Sequence, residues 1–248
     1  MPDAFPYLLA FDTSTELLSV ALSFNGTVRE RSGPGGAQSS TTLIPLAQGL
    51  LAEAGIGFEQ LQAVVFGRGP GSFTGLRTAC AAAQGMAYGA RSPRHPQGLP
   101  VLPVDSLAAV AEAARAGTGV TRVVATLDAR MDEVYVQPLA WDETRQQWLA
   151  EDQGHARLAR PEDIVVPEGW TLAGNARAAY GERIVPAPSV HVLPHAGALL
   201  RLAPGLIASG GLVAAADALP LYVRDKVAQT TDERMAARAA AAAADTAG

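Results

Sequence analysis

The sequence predicts an α/β protein of two similar lobes, each a mixed sheet flanked by helices. Three observations lead there. Short apolar runs bounded by turn residues alternate with segments whose apolar residues recur at helical spacing. A pattern of apolar run, terminal Asp, short polar turn and alternating run occurs twice, around Asp12 and again around Asp128. Of 248 residues, 48% are hydrophobic and 17% charged, enough for a sizeable core without cross-links.

Tyr7–Phe11 reads as a buried strand ending at Asp12, followed by the turn Asp12–Glu16. Residues 19–24 alternate, Asn25-Gly26 suits a type I′ turn, and residues 27–31 return as the other arm of a hairpin. The Gly- and Ser-rich stretch 32–38 reads as a loop. Ser39, Ser40, Thr41 and Thr42 offer N-caps for a helix to about Ala54, with Pro45 in its first turns. Leu43, Leu46, Ala47, Leu50 and Leu51 share one stripe of it, and Gly55 and Gly57 end it. Ala63–Phe66 is a strand, Gly67–Ser72 a glycine loop, and Phe73 to about Tyr88 a helix. Leu99–Val104 is a strand, and Asp105 or Ser106 caps a helix to Ala116. The second half restarts with a strand over Arg122–Leu127 ending at Asp128, a turn over Ala129–Asp132 and a returning strand over Glu133–Gln137. Thr171–Gly174 is a further strand. The expected lobes are 1–104 and 105–228, with 229–248 an Ala-rich tail that has helix propensity but little to bury.

Composition excludes several classes. Cys80 is the only cysteine, which rules out a disulfide scaffold or a Cys-rich zinc site. A net charge of −5 argues against a protein that grips nucleic acid by its own field. No stretch approaches the ~20 apolar residues of a membrane span, and no basic segment followed by an apolar run opens the chain. The expected compartment is the cytosol.

Two lobes whose first strands each end in Asp could hold a nucleotide between them. Phosphate-cradling turns generally use glycine, so that backbone N–H groups reach the oxygens. Thr13, Ser14 and Thr15 follow Asp12, and Ala129, Arg130 and Met131 follow Asp128, so neither turn has one. The run Gly67–Gly75 stands between strand and helix, where an anion would be welcome, but it is neither a Walker loop nor a dinucleotide fingerprint. Its glycines read either as an anion site or as a tight turn with close helix packing. On the following helix, Arg77, Cys80, Ala81, Gln84 and Tyr88 share a face, and Arg77 is the only charge between Phe73 and Ala90. Such a helix is buried either on its own sheet alone or on two sides, one against a partner. His191 and His195 have helical metal-pair spacing, but Pro194 breaks the helix and no third ligand is near. No metal, cofactor or catalytic group is assigned. Cys80 reads as a small packed side chain.

Four segments carry a family resemblance: Leu9–Thr15, Gly67–Arg77 (GRGPGSFTGLR), Asp128–Tyr135 (DARMDEVY) and Pro220–Arg224 (PLYVR). In order and spacing they resemble the TsaB (YeaZ) family, strongly over 7–137 and again near 220–228. The resemblance implies the actin-like ATPase (ribonuclease H-like) fold. It also implies a non-catalytic role in forming N6-threonylcarbamoyladenosine (t6A), the modified base 3′ of the tRNA anticodon. The implied partners are a TsaD-type transferase, a small TsaE-type ATPase and, when the chain is alone, a second copy of itself. Contact with tRNA would come only through the complex. The implied partner surface lies on helices near 40–54 and 73–89, and its candidates are Leu43, Leu46, Ala47, Leu50, Arg68, Phe73, Thr74, Arg77, Cys80, Ala81, Gln84 and Tyr88. One departure is that many relatives carry a His where this chain reads Gln38-Ser39-Ser40-Thr41. The rival reading is an ATP-dependent small-molecule kinase or transferase of the same fold, with Asp12 and Asp128 flanking Mg-ATP.

Overall fold

Two sheets of matching topology frame the molecule. The computed structural model describes residues 7–91, 95–151 and 154–224. The expected 229–248 tail lies outside them. The first sheet comprises β1 (Leu8–Asp12), β2 (Leu17–Phe24), β3 (Thr27–Pro34), β4 (Ala63–Gly69) and β5 (Val101–Asp105) in the order β3-β2-β1-β4-β5. The second has β6 (Arg122–Arg130), β7 (Glu133–Asp142), β8 (Gln147–Ala150), β10 (Thr171–Gly174) and β11 (Ser189–Val190) in the order β8-β7-β6-β10-β11, with β9 (Arg157–Ala159) also on β7. In each, the first strand pairs antiparallel with the second and parallel with the fourth. The internal repeat read from Asp12 and Asp128 is therefore a repeat of topology.

The strands at the centre are apolar on both faces, because both faces are covered. Leu9 and Phe11 of β1 point to an outer core shared with α1 (Ser39–Ala54) and α2 (Phe73–Gly89). Leu8 and Ala10 point the other way, into a core between the sheets. That core also holds Leu107 and Val110 of α3 (Ser106–Thr118), Leu199 and Leu202 of α5 (Ala196–Ala208), and Val123 and Ala125 of β6. On the far side of the second sheet, Val124, Val136 and Leu172 bury Trp170 and Ala176, the first residue of α4 (Ala176–Tyr180). Back between the sheets, Glu112 of α3 is fully buried and bonded to Arg115, Arg201 and the Trp148 indole.

Three local expectations change. Residues 32–34 extend the hairpin, with Leu17 opposite Pro34, since β3 is an edge strand and tolerates Pro and Gly. The N-cap of α1 is Gln38 with no side-chain cap; Thr41 and Thr42 donate to its carbonyl instead. The chain expected to build the second lobe also returns to the first. The start of α5 is held by β2 and β3, with Ala196 N–H donating to Ser19 Oγ (2.7 Å) and Gly197 N–H to Glu30 Oε1 (3.1 Å). Val213 bridges to Val101, and Leu221 N–H donates to Arg68 O.

Candidate functional site

The glycine run closes on the turn after β1. Ser72 N–H, at the N-cap of α2, donates to Ser14 O (2.7 Å), and Thr13 Oγ1 donates to Gly75 O (2.7 Å). A Cβ at Gly71 would stand 2.4 Å from Ser14 O, one at Gly75 1.9 Å from Thr13 O, and one at Gly67 1.8 Å from Asp12 Oδ2. Of the two readings of this loop, the structure carries close packing. The glycines are needed because the Thr13 and Ser14 carbonyls and the Asp12 carboxylate stand where a Cβ would be.

Asp12 itself is sealed. Its Oδ1 accepts from Ser14 N–H (2.8 Å) and Ser14 Oγ (2.6 Å), while its buried Oδ2 has no partner. Burial pushes its carboxyl up to about 6, against the lowering effect of the Ser14 bonds. Asp128 sits differently: its Oδ1 accepts from Arg130 N–H and Tyr180 Oη, both at 2.8 Å. Burial first, and then that bond, push the Tyr180 phenol up to about 12.

A cleft of about 370 Å³ opens between the lobes, lined by Ser14, Ser72, Phe73, Asp128, Asn175 and Tyr222 among others. The second-lobe turn that leaves its wall at Ala129 and Arg130 runs Arg130, Met131, Asp132 with φ of 62°, 57° and 60°. Left-handed conformation costs a non-glycine residue roughly 1–2 kcal/mol. The turn's carbonyls face a cation: Arg224 donates to Ala129 O (3.1 Å), Arg130 O (3.3 Å) and the Glu133 carboxylate. The first turn is thus packed against the glycine run, and the second has its carbonyls taken by Arg224.

The helical face sorts the candidate residues. Leu43, Ala47 and Leu50 lie in the first lobe's own core, so their expected place on an open surface is corrected: the 3.6-residue repeat marks the stripe that packs on β2, not the opposite one. Cys80 is likewise buried, and its Sγ–H donates to Ala218 O (3.1 Å), which also accepts from Gln84 Nε2 (3.0 Å). Burial raises its thiol pKa. Leu46, Phe73 and Gln84 are half-buried; Arg68 is half-buried and paired with Asp105. Thr74, Arg77, Ala81 and Tyr88 are exposed, Tyr88 by 56%. Helical spacing does not single out Ile44, exposed by 45%, or Gly49, above which there is open space; Gly85, among the small residues of α2, has open space above it too. On α1, Gly49 lies across the helix from the leucine stripe and Ile44 on its flank, two turns before Leu51; on α2, Gly85 shares the face of Ala81 and Tyr88. The charged residues of the two helices are Glu53, taken by Arg31 (3.0 Å), and Arg77.

His195 is paired with Glu30 (2.9 Å) rather than with His191. Burial would raise the Glu30 carboxyl, but His195 and the Gly197 N–H hold it below its ordinary value. Among the described residues no group of three or more His, Cys, Asp or Glu is placed to hold a metal, and no helix is long and apolar enough to cross a membrane.

Comparison with known proteins places this architecture. Residues 34–247 match the TsaD family profile, tRNA N6-adenosine threonylcarbamoyltransferase. The chain is 33% identical over 234 residues to the tRNA threonylcarbamoyladenosine biosynthesis protein TsaB of Haemophilus influenzae, covering 89% of this chain and 94% of that one. It is 34% identical over 231 residues to TsaB of Escherichia coli, covering 89% and 96%. The solved structure of YeaZ from Pseudomonas aeruginosa superimposes with a TM-score of 0.78 at 37% identity, over 87% of this chain and 99% of that one. The two sheets flanked by helices are the actin-like fold of that group, and within the TsaD-type proteins this chain belongs to the TsaB (YeaZ) family.

Proposed function

We propose that this protein is the non-catalytic subunit required for t6A formation in tRNA, pairing in the cytosol with a TsaD-type transferase through the exposed faces of α1 and α2. A TsaE-type ATPase joins the pair, and tRNA is met through the complex. The observation that carries this is the state of the two turns that face the cleft. The glycine run packs on the Asp12 turn, where Ser14 O takes the Ser72 N–H, and the carbonyls of the second turn are taken by Arg224, so neither described turn presents a free glycine cradle for phosphate. The helical face supports the pairing. Ile44, Ala81 and Tyr88 are exposed there, and the space above Gly49 and Gly85 is open to a close-packed neighbour.

Co-purification with the transferase tests the pairing, and reconstituted tRNA modification with this chain omitted tests the requirement. Ala81→Glu should abolish association, because a carboxylate buried without a partner costs several kcal/mol. Calorimetry with Mg-ATP on the isolated chain tests the rival kinase reading; micromolar binding with turnover would establish that reading instead.

A further inference from the structure

The last described segment, Leu221–Arg224, spans the mouth of the cleft. On the first lobe, Leu221 N–H donates to Arg68 O (2.7 Å), and Leu221 O is close enough that a Cβ at Gly69 would stand 2.7 Å from it. The Tyr222 ring lies 5.4 Å from that of Phe73, and Arg77 Nε donates to Tyr222 Oη (3.1 Å) with its guanidinium 3.8 Å above the Phe73 ring. Two residues on, Arg224 holds the second lobe through Ala129 O, Arg130 O and Glu133, with Met131 Sδ at 3.2 Å. The turn it grips is the left-handed run Arg130–Asp132, whose loop positions Met131 and Asp132 carry neither Gly nor Asn. One end of the segment therefore rests on an exposed side chain of α2, and the other on the strained turn across the cleft.

We propose that Leu221–Arg224 is a tie through which covering of the α2 face tightens the grip on the second-lobe turn. The inference rests on the reading that this face takes a transferase subunit. In the free chain Arg77 and Tyr222 are exposed, so water competes for their hydrogen bond. A subunit seated on α2 removes that water and strengthens the bond. The bond fixes Tyr222, and Tyr222 fixes Arg224 against its carbonyls. The cleft wall is then held in one arrangement whenever the subunit is seated.

Hydrogen exchange of the full chain, with and without the transferase, tests this. In the wild type, complex formation should slow exchange in α2 and, by tenfold or more, at residues 129–133. In Arg224→Ala, α2 should be protected as before while 129–133 is not. Protection of 129–133 that survives Arg224→Ala, or its absence in the wild type despite protection of α2, overturns the tie. Failure of the wild type to bind at all overturns the pairing instead. In that case Tyr222→Ala in the isolated chain still decides the tie: exchange at 129–133 should rise several-fold, and no change overturns it. Should Arg224→Ala not fold, Arg224→Lys, which keeps the charge and loses the fork, serves with the same expected loss.

Discussion

Asp12 and Asp128 occupy equivalent places in the two lobes and make the same bond, each accepting the N–H two residues on at 2.8 Å. Their surroundings differ. Asp12 is walled in by the glycine run, whereas Asp128 lines the cleft and meets Tyr180 and Arg130. Packing has separated what the repeat made alike, and the chemistry open to each carboxylate follows from it.

Asp12 gives a pH signature. Its pKa of about 6 in the folded chain exceeds its ordinary value of 3.8, so the folded state binds the extra proton. The contribution is fully present below pH ~4 and is lost as pH rises through ~6, amounting to about 2–3 kcal/mol. Glu30, held low, acts in the opposite sense. Urea unfolding from pH 4 to 7 should therefore show a falling component in the wild type that is missing from Asp12→Asn.

Leu43 and Ile44 are neighbours on α1 with opposite fates. Leu43→Ala should cost about 2–4 kcal/mol, because it empties a fully buried site. Ile44→Ala should leave stability within about 0.5 kcal/mol and weaken association with the transferase. Denaturant midpoints and a binding titration on both variants check the pair.

Two glycines of α2 should also divide. Gly85→Ala meets open space in a helix interior and should stabilise the free chain by about 0.5–1 kcal/mol, while loosening a close-packed partner. Gly75→Ala drives a Cβ into Thr13 O and should cost about 3 kcal/mol or more. Thermal melts of the two should shift in opposite directions.

Cys80 should resist thiol reagents at pH 8 in the native chain, since burial raises its pKa and its Sγ–H is bonded to Ala218 O. Labelling should run at the rate of local opening, and denaturant should make it immediate. Rapid native labelling would show that the Ala218 segment leaves α2 readily.

Much of this molecule is legible in local pattern. The two Asp-ended strands, the Asn25-Gly26 hairpin turn and the starts of α2 and α3 follow from alternation, helical spacing and turn chemistry. These are short-range properties, and neighbouring residues are enough to specify them. The four motifs Leu9–Thr15, Gly67–Arg77, Asp128–Tyr135 and Pro220–Arg224, in their order and spacing, also carry the family resemblance. Three things lay beyond local pattern. A leucine stripe says that α1 buries one side, yet which side stays open depends on where β2 lies beneath it. That the glycine run packs closely is decided by Thr13 and Ser14, some 60 residues away in the chain, which bond to it. Arg224 meets Ala129, Arg130 and Glu133 only through the tertiary fold, in which the chain crosses back between the lobes. Composition and spacing determine elements and kinship. Contacts between residues far apart in sequence decide which surfaces are free and which groups are spent, because burial and hydrogen-bond satisfaction are properties of the assembled fold.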